Sequence, residues 1–397
     1  MPPTQRVVQS RAFIYTSLVT AFLLGALLAG LQPQTTGAPI SAESSSGSTG
    51  LLANAQTGQP LLKSISRITF GPRGLLLLAD SRAASIVAIE TGDVKPGETL
   101  ANPIDDVDRK VAAALGSEDA KIVDVAVNPA SGRIYLAVQR GGEPVLMTVA
   151  ADGELALADL AKAHYAVVSL PGGTASKVSN ITDVQFSEEG VLAAGQSNEE
   201  FSSKIFSLSL PLTHGASASN YSAETYHVSH RRWETRAPIR SFVPYQEDDQ
   251  MYVVGSFSCT PIAKFPLDNL TSGAKVQGIS VVELGSGNQP LDMFTYQRDG
   301  KQWLVTNTYR FHFQKNTFGP SKWWGVRLDM KHLASDDKVN EDAVRRDTKV
   351  DKDPQGIEVV DVLSGAVQVA KVNDQQAVVL RNVNDEDRYR LELVTLP

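Results

Sequence analysis

The chain has 397 residues, of which 42% are hydrophobic and 20% charged, so its composition supports a large core and excludes bulk disorder. Its formal net charge is −7, and such a mildly acidic chain lacks the basic surface typical of proteins that bind nucleic acid. Cys259 is the only cysteine, which excludes a disulfide within the chain and favours an inert, buried thiol.

The N-terminus carries a membrane-targeting pattern. Arg6 and Arg11 precede an uncharged run from Ala12 to Leu31. A run of this length spans a bilayer as a helix, and the basic flank places everything after it outside the cytoplasm. No good cleavage site follows closely, so residues 1–31 are predicted to be a signal anchor, with a cleaved signal peptide as the alternative. Residues 32–50 are rich in Ser, Gly, Thr and Pro and predict a flexible linker.

A repeat of two apolar strands joined by a polar turn recurs through residues 51–397. Its copies begin at Ile65, Ile122, Ile181, Ile239, Leu291 and Val367. Their turns hold the Gly or Asp that tight hairpins need, and further strand-like runs lie between the copies. A four-stranded unit that returns at this period predicts an all-β fold, a β-propeller of about six four-stranded blades after the N-terminal transmembrane helix. A sandwich or a barrel does not explain the period.

Three further details follow from the same pattern. The run AVVSL at 166–170 is predicted to be the fourth strand of the second repeat. The last repeat lacks a fourth strand, and residues 51–63 are predicted to supply it and so to close the ring. Asp106–Leu115 is the best candidate for a short helix, and the long segments at 93–121 and 331–356 leave room for a seventh blade.

The repeats resemble those of a known group of proteins. The copy ITDVQFSEEGVLAAG from Ile181 is the one most similar to the WD40-like, YVTN and NHL propellers, although no GH…WD signature is present. The segments SFSCTPIAKFPLDNL and ELGSGNQPLDMF are similar to uncharacterised exported bacterial propellers. The resemblance covers roughly residues 60–397, and it implies the propeller fold without implying any activity.

Alignment of the first strands reveals one polar column. It consists of Arg67, Asp124, Asp183, Ser241, Asp292 and Gln368. Each residue lies near the start of an innermost strand, so in a closed propeller all of them converge on one end of the central channel. The second strand of each hairpin returns to the same end. The predicted ligand-binding residues are therefore Arg67, Asp80, Asp124, Asp183, Asp292, Asn307, Arg310 and His312.

The column has three interpretations that the sequence leaves open. Its polar groups bond to water and to neighbouring strands, or they bind a ligand or partner at a concave face. In the third interpretation, Asp124, Asp183 and Asp292 are oxygen ligands of Ca²⁺. Six-bladed lactonases of the gluconolactonase type hold such an ion, but the motifs of their ligands have no match in this sequence. Arg67 argues against a ring that binds only cations. His227 and His230 are predicted to point to opposite faces of a strand, which argues against joint metal ligation.

The sequence contains no HExxH, GxSxG, Walker A or CxxCH motif, so it gives no sign of a catalytic centre. It predicts a binding module tethered outside the cytoplasm, in the periplasm or at the cell surface. The expected partner is an envelope or membrane-associated protein or a small molecule. The alternatives are a Ca²⁺-dependent hydrolase with its ion at the propeller axis and a redox accessory that docks to a cytochrome.

Overall fold

A computed structural model describes most of the chain after the predicted linker. The residues that it describes are 50–172, 177–187, 189–228, 230–258, 261–268, 270–284, 287–311, 321–333, 357–383 and 388–397. The predicted anchor at 1–31, the thiol of Cys259 and His312 lie outside these residues. No helix within the described ranges is both long and apolar enough to cross a membrane.

The first two repeats contain ten strands and one helix. The strands before the helix are β1 (Leu52–Ala53), β2 (Gln56–Thr57), β3 (Arg67–Phe70), β4 (Leu75–Asp80) and β5 (Ser85–Glu90). The helix α1 (Val107–Leu115) follows, which confirms the predicted helix to within one residue. The strands after it are β6 (Ala120–Val127), β7 (Ile134–Arg140), β8 (Glu143–Val149), β9 (Leu155–Leu157) and β10 (His164–Ser169).

The other four repeats are made of strands and short 3₁₀ turns. The third holds β11 (Val178–Ser187), β12 (Gly190–Ser197), β13 (Ser203–Ser209), β14 (Leu212–Thr213), β15 (Ser219–His227) and β16 (Arg232–Glu234). The fourth holds β17 (Ile239–Glu247), β18 (Gln250–Phe257), β19 (Pro261–Pro266) and β20 (Lys275–Glu283). The last two hold β21 (Asn288–Arg298), β22 (Lys301–Arg310), β23 (Trp323–Asp329), β24 (Ile357–Val359), β25 (Ala366–Lys371), β26 (Gln376–Asn382) and β27 (Tyr389–Thr395). Among the described residues of all six repeats, 3₁₀ turns occur at Pro72–Gly74 in the first repeat and at Met330–His332 and Asp361–Leu363 later in the chain.

The sheets confirm an all-β, propeller-like fold but not the predicted blade count. Every predicted hairpin forms, and β21 and β22 show why, because Asp299 and Gly300 both take the positive φ that a two-residue turn requires. Four separate sheets have five, four, four and three strands. The third and fourth repeats instead share one nine-stranded sheet, because β15 pairs in parallel with β20.

Two predictions about strand placement are wrong. The run AVVSL lies in β10, which pairs with β5 of the first repeat, so the second repeat ends with β9. Residues 51–63 do not complete the sixth repeat. Their strand β1 pairs with β14, and β2 pairs with β10. The outer edge of β27 is met by Ile104, which exchanges two backbone hydrogen bonds of 2.8 and 3.0 Å with Leu391.

The innermost strands form a closed ring. In order of contact they are β6, β3, β11, β17, β21 and β25, and β25 contacts β6 again. Around the ring, the first repeat thus lies between the second and the third. The chain returns from the second repeat to the first through β10, which pairs with β5. A buried apolar cluster fills each gap between neighbouring repeats. Strand β4 is buried at every position because neighbours cover both of its faces, which explains its continuous apolar sequence.

Candidate functional site

The polar column lies on the inner strands of the ring. In five of these six strands the pairing register shifts at or just before the column residue. In the second repeat, for example, the shift lies between Ile122 and Asp124. Such a β-bulge adds one residue to a strand and turns the side chains that follow it. The bulges thus turn the column side chains away from the ordinary alternation of the strand and toward the axis.

Arg67 lies at the centre of the column. Its Nη1 atom donates to Asp124 Oδ1 at 3.1 Å, to Asp292 Oδ1 at 2.8 Å and to Gln368 Oε1 at 3.3 Å. Its Nε atom donates to the carbonyl of Thr182 at 3.0 Å, and its Nη2 atom to another backbone carbonyl at 2.6 Å. One guanidinium therefore connects the first repeat to four others.

The charge of Arg67 is strongly favoured. Burial alone would lower its pKa, but Asp124, Asp292 and Asp183 outweigh that effect and raise the pKa above its ordinary value. Only 17% of the side chain is exposed. Arg67 is thus a permanent internal cation for a group of buried carboxylates.

Each aspartate of the column also joins two neighbouring inner strands. Its Oδ2 atom accepts the backbone N–H of the residue that follows the column position in the next strand. The distances are 2.7 Å from Ile68 to Asp124, 2.9 Å from Phe242 to Asp183 and 2.8 Å from Val369 to Asp292. Hydrogen bonds to a charged acceptor contribute about 1.5–3 kcal/mol each, so the three bonds help to hold the ring together.

The three aspartates titrate unusually because they are buried. Burial raises the pKa of Asp183 to about 7 and that of Asp124 to about 6, although Arg67 acts in the opposite direction on both. Burial also raises the pKa of Asp292. Perturbed carboxyl groups that surround a cavity are typical of functional sites as well as of structural ion pairs.

Asp183 differs from the other two aspartates in its partners. Its oxygens accept the backbone N–H of Val184 at 2.8 Å and the Nε2 atom of Gln185 at 3.2 Å, in addition to Phe242. It forms no ion pair with any described cation, whereas Asp124 and Asp292 are both paired with Arg67. Asp183 is therefore the carboxylate of the column whose charge is least compensated.

The predicted Ca²⁺ site does not fit this arrangement. Asp124 and Asp292 each use one oxygen for Arg67 and the other for a backbone N–H. Ca²⁺ takes six to eight oxygen ligands, and here a guanidinium lies among the carboxylates that would provide them. The column is built around an arginine as its cation.

A cavity of about 710 Å³ lies directly above the column. Asp124, Asp183, Asp292 and Arg67 form its floor, and the inner strands form its walls as far as the hairpin turns at Pro129 and Glu189. Four acidic and two basic described side chains line it, and the second base, Lys371, is paired with Asp374 at 2.7 Å. The cavity is therefore acidic on balance, and it opens toward the hairpin turns.

Three of the other predicted ligand-binding residues lie on the far side of the column. Asp80 is fully buried and accepts hydrogen bonds from Lys63, Ser64 and Ala83, so it fixes a turn. Asn307 accepts the backbone N–H of Asp292 and donates to a carbonyl. Neither these two residues nor Arg310 is among the described residues that line the cavity. The sequence predicts a site at the end of the channel where the second strands finish. The cavity instead extends from the column toward the hairpin turns that join the first and second strands.

The prediction for His227 and His230 is also wrong, because the strand ends at His227 and a turn follows. Their ring centroids are 3.9 Å apart. The Nδ1 atom of His230 is 2.7 Å from Oε1 of Glu234, and Nδ1 of His227 is 3.6 Å from the same oxygen. The sequence signal for this cluster was the short spacing HVSHRRWE, which suits a hairpin as well as a continuous strand.

Comparison with known proteins does not identify a family. No protein family and no curated protein matches the chain. Among solved structures, the PQQ-bound aldose sugar dehydrogenase of Streptomyces coelicolor is 11% identical, with a TM-score of 0.31 over 86% of this chain and 96% of that chain. The lignostilbene dioxygenase of Pseudomonas brassicacearum is 10% identical, with a TM-score of 0.35 over 83% of this chain and 69% of that chain. The virginiamycin B lyase of Staphylococcus aureus is 11% identical, with a TM-score of 0.28 over 86% of this chain and 98% of that chain. Likenesses this weak assign no activity.

Proposed function

We propose that the protein is a binding module that holds a small organic cation in its axial cavity. The observation that carries the proposal is Asp183, a buried carboxylate on the floor of the cavity of about 710 Å³ that forms no ion pair with any described cation. A volume of that size suits a small molecule rather than a protein segment. A cation placed beside Asp183 would supply the charge that Arg67 supplies to Asp124 and Asp292.

The walls of the cavity favour an organic cation over a bare metal ion. Phe70, Phe186, Tyr245 and Phe294 all line it, together with the methionines Met251 and Met293. Aromatic faces attract organic ammonium groups, and they bury the carbon atoms of such a ligand. The excess of acidic over basic side chains around the cavity acts in the same direction.

The proposal includes the cellular setting that the N-terminus predicts. Arg6 and Arg11 with the apolar run at 12–31 support a tether that leaves the propeller outside the cytoplasm. The protein would then meet small cations in the periplasm or at the cell surface. A membrane-associated partner that receives the ligand belongs to the same proposal.

A thermal-shift screen of the full-length protein in detergent tests the proposal. Choline, tetramethylammonium and putrescine are the probes, and glucose is the neutral control. We expect at least one ammonium compound to raise the melting temperature, because a ligand at ten times its Kd stabilises the folded state by about 1.4 kcal/mol. Glucose should leave the melting temperature unchanged.

A cavity-blocking variant locates the binding. Thr295→Trp adds an indole to an inner-strand position that lines the cavity and should abolish the shift. Thr395→Trp, on the exposed face of outer strand β27, is the matched control and should retain it. A shift that persists in a folded Thr295→Trp protein, or no shift with any ammonium compound, would contradict the proposal.

A further inference from the structure

Two histidines and two glutamates lie together at the junction of the third and fourth repeats. His227 ends β15, His230 lies in the turn that follows, and Glu234 ends β16. Glu283 ends β20, the strand that pairs in parallel with β15. None of the four lines the axial cavity, so the cluster is separate from the site described above.

The geometry of three of these side chains is that of a metal site. One ligand atom from each of His227, His230 and Glu234 lies within 4.8 Å of the other two. The Nδ1 atoms of the histidines are 3.6 and 2.7 Å from Oε1 of Glu234. Tetrahedral Zn²⁺, with bonds of 2.0–2.2 Å, holds its ligand atoms roughly 3.4 Å apart. Small side-chain movements therefore bring all three atoms to bonding distance of one ion.

Glu283 faces the buried histidine from β20. Its side chain is 1% exposed, and its Oε1 atom accepts the backbone N–H of Val228 at 2.6 Å. Its Oε2 atom is 3.6 Å from Nε2 of His227, whose Nδ1 faces Glu234. Histidines that bind metals commonly present their second ring nitrogen to a carboxylate, which fixes the tautomer and raises the basicity of the ligating nitrogen.

The charges around the cluster also suit a cation. Two glutamates face two histidines, and the cation bonded to Glu234 at 3.2 Å is Arg232, whose side chain is 69% exposed. A carboxylate beside two imidazoles is the donor set that zinc and similar ions prefer.

We propose that His227, His230 and Glu234 bind a divalent transition-metal ion of the zinc type, with Glu283 as the positioning residue for His227. The fourth position faces solvent on the side of His230, which is 47% exposed, and is filled by water. The ion ties β15 to β16, and Glu283 connects the site to β20 at the parallel pairing that joins the third and fourth repeats.

Zinc titration of the full-length protein tests the site. The protein is first stripped with a chelator and then titrated with Zn²⁺ against a chromogenic zinc indicator. We expect one tightly bound ion per chain. Glu283→Gln should weaken binding by about 10–100-fold, the usual effect of losing a carboxylate behind a ligating histidine. His230→Ala removes a ligand from an exposed position and should weaken binding more than that.

The chain provides a matched control for these variants. His164 is 59% exposed, and its Nδ1 atom is 3.6 Å from Glu90, but no third ligand lies near enough among the described residues. His164→Ala should leave zinc binding unchanged. Co²⁺ substitution gives a second readout, because the visible absorption of four-coordinate cobalt should appear in the unsubstituted protein and disappear in His230→Ala. Equal zinc affinity in His230→Ala and His164→Ala would overturn the proposal.

Discussion

Replacing Arg67 by Met is expected to lower the free energy of unfolding by about 3–5 kcal/mol at pH 8, the usual cost of removing one partner from a buried ion pair. The change leaves Asp124 and Asp292 without their cation and removes a guanidinium that connects five repeats. It leaves the three hydrogen bonds between neighbouring inner strands in place, so the loss measures the ion pairs and hydrogen bonds of Arg67 rather than the whole column. Urea unfolding followed by tryptophan fluorescence gives the value.

Two further variants separate charge from geometry. Arg67→Lys keeps a cation but loses the planar fork of donors, so it should recover only part of the stability. Arg82→Met removes an exposed arginine that donates only to backbone carbonyls, and it should change stability by no more than about 0.5 kcal/mol. At pH 5 the cost of Arg67→Met should shrink, because Asp183 and Asp124 are then largely protonated. An effect of Arg67→Met as small as that of Arg82→Met would show that the carboxylates need no internal cation.

The stability of the protein is expected to fall between pH 5 and pH 8 through Asp183. Its folded-state pKa of about 7 lies above the ordinary value of 3.8, so the folded state holds a proton that the unfolded state has already released. Stability therefore falls with rising pH across this window, in proportion to the difference in bound protons. Each unit of pKa shift corresponds to about 1.4 kcal/mol, so Asp183 alone contributes a loss of a few kcal/mol.

Asp183→Asn isolates this contribution. At pH 5 the variant should be less stable than the unsubstituted protein by about 1–3 kcal/mol, because the amide nitrogen cannot accept the N–H of Phe242 or Val184. At pH 8 the difference should shrink or reverse, since the variant carries no buried charge there. Unfolding curves at several pH values give the free energy of unfolding of each protein as a function of pH. If it falls with pH at the same rate in both proteins, Asp183 does not titrate in this window.

The sequence predicted the polar column well because the column depends on repetition. Strand alignment alone placed Arg67, Asp124 and Asp292 in equivalent positions, and the structure brings them into direct contact. The predicted hairpins also form, because a run such as LLLLAD or a turn such as RDGK encodes its own local conformation. These features depend on neighbours in the sequence.

The features that the sequence did not reveal depend on contacts between distant segments. Nothing local distinguishes a strand that ends the second repeat from one that returns to the first, as β10 does. The bulges before Asp124 and its equivalents are not visible in the alternation of residues, and they help to direct the column toward the cavity. The direction in which the cavity opens follows from packing around the axis. The sequence therefore did not reveal that Asp80 and Asn307 lie outside the lining of the cavity.

Calorimetric titration with the tightest-binding ammonium compound at pH 6 and pH 8 tests the binding proposal most directly. Choline, tetramethylammonium and putrescine remain charged at both values, so a change in affinity reports on the protein. With a pKa of about 7, Asp183 is mostly protonated at pH 6 and mostly ionised at pH 8, which predicts about tenfold tighter binding at pH 8. Asp183→Asn should bind weakly at both values and show no such change. Affinity that is the same at the two pH values, or retained in full by Asp183→Asn, would contradict a cation site on the floor of the axial cavity.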